Sequence, residues 1–357
     1  MDRILKLLKI ASLTGVALAL GLIVGKGISA YTGASATVSA TAEPADTSAL
    51  PSSVMAAPES PAPDTAAATS RPTISSKDFD RMSQDMRRAV RTFQGGVSIY
   101  VKNLETGKEW AYNADEKMPS ASLIKLPIMI GVVEKIGKGE LSLDHPMVLT
   151  REARRSGSGH IKWRPNGEVF TIGQLLEEMM AYSDNIAQEL LIRAVGMKYL
   201  RERFAAFGLT ATNITREGLS LAPRTRIENY TTAREMGMLL EQIYRGQKFG
   251  GDSSARMIEL MKHAKYNDRL PRQLPAGWTI AHKTGLLRRA CHDCGIVYSP
   301  AGDYIICVLT RSGRSYRDAK RFISKVAAIS YRYFETPTGA VASTSGLPSR
   351  AVFKPAS

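Results

Sequence analysis

Cysteine is scarce in this chain of 357 residues: there are three, Cys291, Cys294 and Cys307. One disulfide is the most they can form, with one thiol left over, so a disulfide scaffold is excluded. The "CHDC" stretch supplies two thiols and one cramped His292, too few ligands for a zinc site. It precedes a strand pattern rather than opening a helix, which argues against a redox C-x-x-C. Buried or disulfide-bonded structural cysteine is the expectation. The chain has no basic run interleaved with aromatics, so nucleic acid is not an expected partner. It has no metal-ligand set, no cofactor fingerprint and no internal repeat, and neither metal nor cofactor is expected. Glycine and proline are not in excess, and 23% charged residues is ordinary for a globular protein.

What is present is positive charge. Forty-eight Lys and Arg stand against 33 Asp and Glu, a formal net charge of +15. That balance favours anionic surroundings and says nothing about fold. The N-terminus carries Arg3, Lys6 and Lys9 ahead of an apolar stretch from Ile10 to Val24, the pattern of an export signal. The stretch is short for a spanning helix. Residues 1–30 are therefore expected to be a signal peptide or an N-terminal membrane anchor, with "ISA" (28–30) and "ASA" (34–36) as cleavage sites. The absence of a nearby cysteine excludes lipid attachment through a thiol. The rest of the chain is expected outside the cytoplasm, periplasmic or at the cell surface, touching membrane only through that anchor.

Residues 31–73 are mostly Ala, Ser, Thr, Pro and Gly with few larger apolar side chains, and 336–357 are similar. Neither can bury a core, so both are expected to be disordered. The folded unit is expected at 74–335. It opens with an amphipathic helix, "SSKDFDRMSQDMRRAVRTF", capped by Ser75 or Ser76. "GGVSIYVKNLETGKEWAYNAD" alternates and turns at "ETGK", a hairpin. A mostly helical middle runs from Ser122 to about Gly246. "WTIAHKTG", "GIVYSP" and "DYIICVLTRS" read as three strands, and "YRDAKRFISKVAAISYRYF" as a closing helix. Two strands early and three late predict one antiparallel sheet built from both ends of the chain. The middle becomes a helical lobe, with a cleft between.

Three short segments carry chemistry. "PSASLIKLPI" places Ser122 three residues before Lys125, where a helix begins. "YSDNIAQELL" holds Ser183, Asp184 and Asn185. "HKTG" holds Lys283, Thr284 and Gly285. Taken singly, each reads as ordinary: a helix cap, another cap, a strand end with a turn. Taken in order, S-x-x-K, S-D-N and K-T-G are the motif set of class A β-lactamases and penicillin-binding proteins.

Residues 76–335 resemble the class A β-lactamase-like serine hydrolases. "SLIKLPI", "TIGQLLEEMMAYSDNIA", "NYTTAREMGMLLEQIYRG" and "AHKTG" carry the resemblance. It implies an α/β (α+β) fold: a five-stranded antiparallel sheet flanked by helices, an all-helical lobe, and an active site in the cleft between them. Ser122 is then the nucleophile and Lys125, one turn inside the helix, its base. Ser183 passes a proton to the leaving nitrogen. Asn185 binds Lys125 and the substrate's side-chain amide, and Asp184 holds the loop. Lys283 and Thr284 bind the substrate carboxylate. Leu286, just past Gly285, gives the second oxyanion-hole N–H beside that of Ser122.

The deacylating carboxylate implied by the resemblance is Glu217, fourteen residues before Thr231. Here the chain departs from the family pattern. Leu221 stands where an asparagine is usual, and Thr215 and Tyr230 fall at the places of an Arg–Asp clasp, for which Glu228 with Arg224 or Arg226 is a substitute. The carboxylate-binding arginine of the following strand falls near Cys294, with Arg288 or Arg289 as replacements. The implied activity is opening of β-lactam rings through an acyl-enzyme. The alternatives are a D,D-carboxypeptidase acting on peptidoglycan stem peptides and, third, an inactive wall-binding module. A monomer acting on a small β-lactam or peptide substrate is expected.

Overall fold

The computed structural model describes residues 73–219, 228–312 and 315–335. The expected signal or anchor, the spacer up to residue 72, Leu221, Arg224, Arg226 and the C-terminal tail lie outside the described residues. No helix among the described residues is long and apolar enough to cross a membrane.

The chain opens with α1 (Ser76–Val90), β1 (Gly95–Asn103), β2 (Glu109–Tyr112) and the two-residue β3 (Met118–Pro119). Then come α2 (Lys125–Gly137), β4 (Pro146–Val148), β5 (Val169–Thr171), α3 (Ile172–Ala181), α4 (Asn185–Val195) and α5 (Met197–Ala206). The final stretch contains β6 (Tyr230–Thr231), α6 (Ala233–Arg245), α7 (Gly251–Lys262), β7 (Thr279–Leu287), β8 (Ala290–Tyr298), β9 (Tyr304–Ser312) and α8 (Tyr316–Phe334).

The main sheet has the order β2-β1-β9-β8-β7, antiparallel throughout. Chain-terminal strands meet at the centre, where β1 pairs with β9 over nine residues, Gly95↔Ser312 to Asn103↔Tyr304. The two early and three late strands thus form one sheet, as the sequence predicts. Alternation assigns the faces. Val97, Ile99 and Val101 of β1 pack with Ile306 and Val308 of β9 against α1 and α8. Tyr100, Ile305, Cys307 and Leu309 face the helical lobe. Both faces are covered, so the strands read as nearly continuous apolar runs.

Helix α1 buries Phe79, Met82, Met86, Ala89 and Val90, one stripe at helical spacing. The Ser75 side chain caps it by accepting from Asp78 N at 3.1 Å. Ser315 caps α8 in the same way, accepting from Asp318 N. The lobe's central helix is α2: Leu126, Ile128, Met129, Ile130, Val132 and Val133 are all at most 1% exposed. Up to Val133 the helix has no solvent face, and α2 is the fixed post behind the turn that holds Ser122.

Three local expectations change. Lys125 is the first residue of α2, preceded by a 3-10 turn at Ala121–Ile124 that holds Ser122. The lysine thus follows the serine by one tight turn instead of lying one turn inside the α-helix. Pro127 falls in the first turn, where its missing N–H has no intrahelical partner in any case. Lys283–Thr284–Gly285 lies inside β7, which runs on to Leu287. "CHDC" lies inside β8 instead of before it. Pairing of β7 with β8 continues past the glycine and through the cysteines that sequence reading took as boundaries, to Leu287↔Ala290.

Candidate active site

The nucleophile turn, the S-D-N turn and β7 converge on one cleft of about 820 Å³, lined by Ser122, Ser183, Asn185, Thr284 and Leu286 among others. Lys125 is fully buried beneath it. Its Nζ lies 3.3 Å from Ser122 Oγ, 3.1 Å from Ser183 Oγ, 2.5 Å from the Ser183 carbonyl and 2.7 Å from Asn185 Oδ1. Lys283 Nζ donates to Ser183 Oγ at 3.0 Å and to the Thr284 carbonyl at 3.1 Å. A hydroxyl, two amines and a second hydroxyl therefore form one connected chain, Ser122–Lys125–Ser183–Lys283.

Electrostatics set the proton distribution. Burial pushes the Lys125 pKa well below its ordinary value, nearby Lys283 pushes it further, and Asp184 pulls partly back. Lys283 is lowered to about 7, chiefly by burial, with Asp293 opposing and Arg269 adding to the fall. Lys125 is thereby suited to be a neutral amine, a base within hydrogen-bond reach of a serine hydroxyl.

Backbone strain holds this geometry. Ser183 has φ 56° and Ala121, just before Ser122, has φ 46°. A non-glycine residue there costs about 1–3 kcal/mol and persists only where its surroundings force it. For Ser183 the return is plain: its carbonyl reaches Lys125 and its hydroxyl sits between the two lysines. Ser158 Oγ also donates to that carbonyl at 2.6 Å. Asp184 acts as cap and clamp together. Its Oδ1 accepts from Ile186 N and Ala187 N at the start of α4, and its Oδ2 from Ile161 N at 2.9 Å. Gly159 makes room for it: a Cβ there would sit 1.9 Å from Asp184 Oδ2. Gly285 serves a second close approach, since a Cβ would come within 3.1 Å of Ala121 Cβ and His292 Cδ2. The end of β7 is thus pressed against the nucleophile turn, with Leu286 in the cleft wall.

Glu217 stands apart. It is exposed and is not among the residues lining the cleft, whereas Arg216, Gly218 and Leu219 are. A tight turn directs it outward: Gly218 N donates to Thr215 Oγ1 at 2.9 Å and Leu219 N to the Thr215 carbonyl at 3.2 Å. The structure thus does not join Glu217 to Ser122, Lys125 and Ser183. The clasp of this loop is made by residues that sequence reading passed over. Asn229, not Tyr230, meets Thr215: its Oδ1 accepts from Thr215 N at 2.8 Å and Oγ1 at 3.2 Å. The clasp is neutral where an ionic one was the family expectation. Glu228 lines the cleft, and burial pushes its pKa up.

Other contributors were missed. His292 is fully buried; its Nδ1 accepts from Thr310 N at 3.2 Å, so Nε2–H donates to the Pro119 carbonyl at 2.8 Å. Burial lowers its pKa to about 4, which keeps it neutral as a strut between β8 and the nucleophile turn. Sequence reading spent it on a metal motif. Arg269 is 3% exposed and lines the cleft near Thr284, held by Cys291 Sγ at 3.2 Å from its Nε. Its charge helps lower the Lys283 pKa, whereas Arg288 and Arg289 both sit in the β7–β8 turn. The three cysteines are buried free thiols, with Cys294 directly opposite Cys307 across β8 and β9. No cluster of three or more His, Cys, Asp or Glu that could hold a metal occurs among the described residues.

Comparison with known proteins agrees with this architecture. The model of the beta-lactamase enzyme family matches residues 81–334. The beta-lactamase VEB-1 of Pseudomonas aeruginosa is 24% identical over 279 residues, covering 73% of this chain and 92% of its own. The solved structure of PBP-A superposes with a TM-score of 0.66 at 26% identity, over 71% of this chain and 96% of that one. A mutant of PBP-A, solved as an acyl-enzyme complex with penicillin G, gives 0.65 at 25% identity over 72% and 97%.

Proposed function

The chain belongs to the beta-lactamase enzyme family, and from that premise we propose that it is a serine hydrolase that opens β-lactam rings through an acyl-enzyme on Ser122. The observation that carries this reading is the fully buried Lys125 amine 3.3 Å from Ser122 Oγ. The substrate carboxylate sits on Lys283 and Thr284, with Arg269 adding positive charge below. The lactam carbonyl oxygen points to the N–H groups of Ser122 and Leu286. Neutral Lys125 takes the Ser122 proton as Oγ attacks the carbonyl carbon. The oxyanion is stabilised by the two main-chain donors until the C–N bond breaks. The proton passes from Lys125 through Ser183 to the departing nitrogen, which returns the lysine to its neutral form. Water then hydrolyses the ester.

A second reading is a D,D-carboxypeptidase or related penicillin-binding peptidase acting on cell-wall stem peptides. The outward position of Glu217 favours it, because without a placed carboxylate the acyl-enzyme is long-lived. The likeness to PBP-A agrees. Nitrocefin turnover followed beside intact-protein mass separates the two: steady hydrolysis supports the lactamase, a stoichiometric burst with an accumulated adduct the peptidase. For either activity we propose an exported monomer, periplasmic or at the cell surface, supported by the basic and apolar N-terminal pattern and by one chain supplying every residue of the site.

A further inference from the structure

Helix α4 carries Asn185 in its first turn and Glu189 one turn later, and both line the cleft. Residues four apart on a helix lie on one face with Cβ atoms about 6 Å apart. Glu189 therefore marks the cleft wall one step beyond the amide expected to read the substrate's acyl side chain, away from the carboxylate end at Thr284. Glu189 is 3% exposed. Its carboxylate takes Arg155 NH2 at 3.1 Å, Arg193 Nε at 2.8 Å and Arg216 NH1 at 2.9 Å. One guanidinium neutralises one carboxylate, so this cluster keeps a net charge of +2.

The three arginines are not equivalent. Arg155 also gives NH1 to the carbonyls of Glu152 and Arg154, and Arg193 gives NH2 to the Glu152 carbonyl. Both are committed to the wall. Arg216 uses only NH1, on Glu189, and its side chain is 47% exposed at the cleft. Its Nε and NH2 have no partner among the described residues. Arg154, next in the same lining, has all three nitrogens engaged, with Asn166 and the carbonyls of Lys162 and Arg164, and adds charge alone. At the opposite end, Asp268 is occupied by Lys320 and Arg269. Glu228 is the other carboxylate of the lining, and burial shifts it toward its neutral form.

We propose that Arg216, braced on Glu189 beside Arg155, is a subsite for a carboxylate on the acyl side chain of the substrate. A guanidinium fixed through one nitrogen presents its remaining donors as a fork that fits a carboxylate. The cleft then reads two anionic groups on one substrate, one at Lys283 and Thr284 and one at Arg216, with the scissile carbonyl between. This rests on the acyl-enzyme reading above.

The test compares 6-aminopenicillanic acid carrying a glutaryl side chain with the same compound as its side-chain monomethyl ester. Each protein's second-order rate of Ser122 acylation is followed by intact mass. The wild type should favour the free acid by about tenfold, as one charge-assisted contact gives. That preference should shrink at high salt, fall to about one in Arg216→Gln and be partly kept in Arg216→Lys. A wild-type ratio of one or less, or an unchanged ratio in Arg216→Gln, overturns the subsite. If neither compound nor benzylpenicillin labels Ser122 or is hydrolysed, the acyl-enzyme reading itself fails, and the subsite with it.

Discussion

On one side of the cleft, Ser122, Lys125, Ser183 and Lys283 are joined by side-chain contacts of 3.0–3.3 Å around two fully buried amines. On the other, the loop rooted at Thr215 and Asn229 is closed by a neutral clasp and turns Glu217 to solvent. The first wall has bought its pKa values with burial and strain, at Ala121 and Ser183. The second shows neither device around Glu217. The difference teaches that attack and release are separate constructions on one scaffold. On the proposed reading this chain has the first in full, and its loop wall carries the exposed Arg216 where a water-activating carboxylate was expected.

Substitution can break the contrast from the stronger side. Ser122→Ala removes the nucleophile, and kcat should fall by on the order of 10⁴-fold or more, with no covalent adduct by mass and an unchanged melting curve. Lys125→Ala should slow acylation by about 10²–10⁴-fold, the range for loss of a positioned base. Residual acylation near the wild-type rate would assign the proton to another group.

The pH dependence sharpens the same wall. Lys283 must be protonated to hold a carboxylate, and its pKa in the free enzyme is lowered to about 7. The charged form is therefore lost as pH rises through that value, and kcat/KM for carboxylate-bearing substrates should decline on the alkaline side. Lys283→Arg keeps its charge and should move that limb several pH units upward. A profile unchanged by the substitution would detach the limb from Lys283.

The loop wall is expected to respond less. Asn229→Ala removes the acceptor for two Thr215 donors and should cost about 1–3 kcal/mol, read from thermal or urea unfolding. Glu217→Gln should be the mildest change, leaving deacylation within about twofold as followed by decay of the adduct mass. A trapped intermediate in that variant would show that the loop turns Glu217 inward during turnover, and the contrast between walls would collapse.

How much of this was legible in the sequence follows from the range of the interactions. Alternation in the early hairpin and short apolar runs in the late segments gave the sheet, because each strand's pattern is local. The three motifs gave the acylating wall, because their order survives without any alignment. Contacts between distant, individually unremarkable residues did not show. Asn229 reads as a turn residue until Thr215 lies against it. His292 was absorbed into a cysteine motif because its partner, the Pro119 carbonyl, is 173 positions away. Arg155, Arg193 and Arg216 look like solvated charges until one buried carboxylate gathers them. For Glu217, spacing fixes where the residue falls along the loop but not which way the turn faces it.

The most direct test is peptide-mapped mass spectrometry of the full chain after brief mixing with excess benzylpenicillin. The expected result is one intact benzylpenicillin unit on the peptide containing Ser122 at the earliest times, and neither adduct nor hydrolysed drug with Ser122→Ala. An adduct on any other residue, or benzylpenicillin hydrolysed at the wild-type rate by Ser122→Ala, would contradict the account.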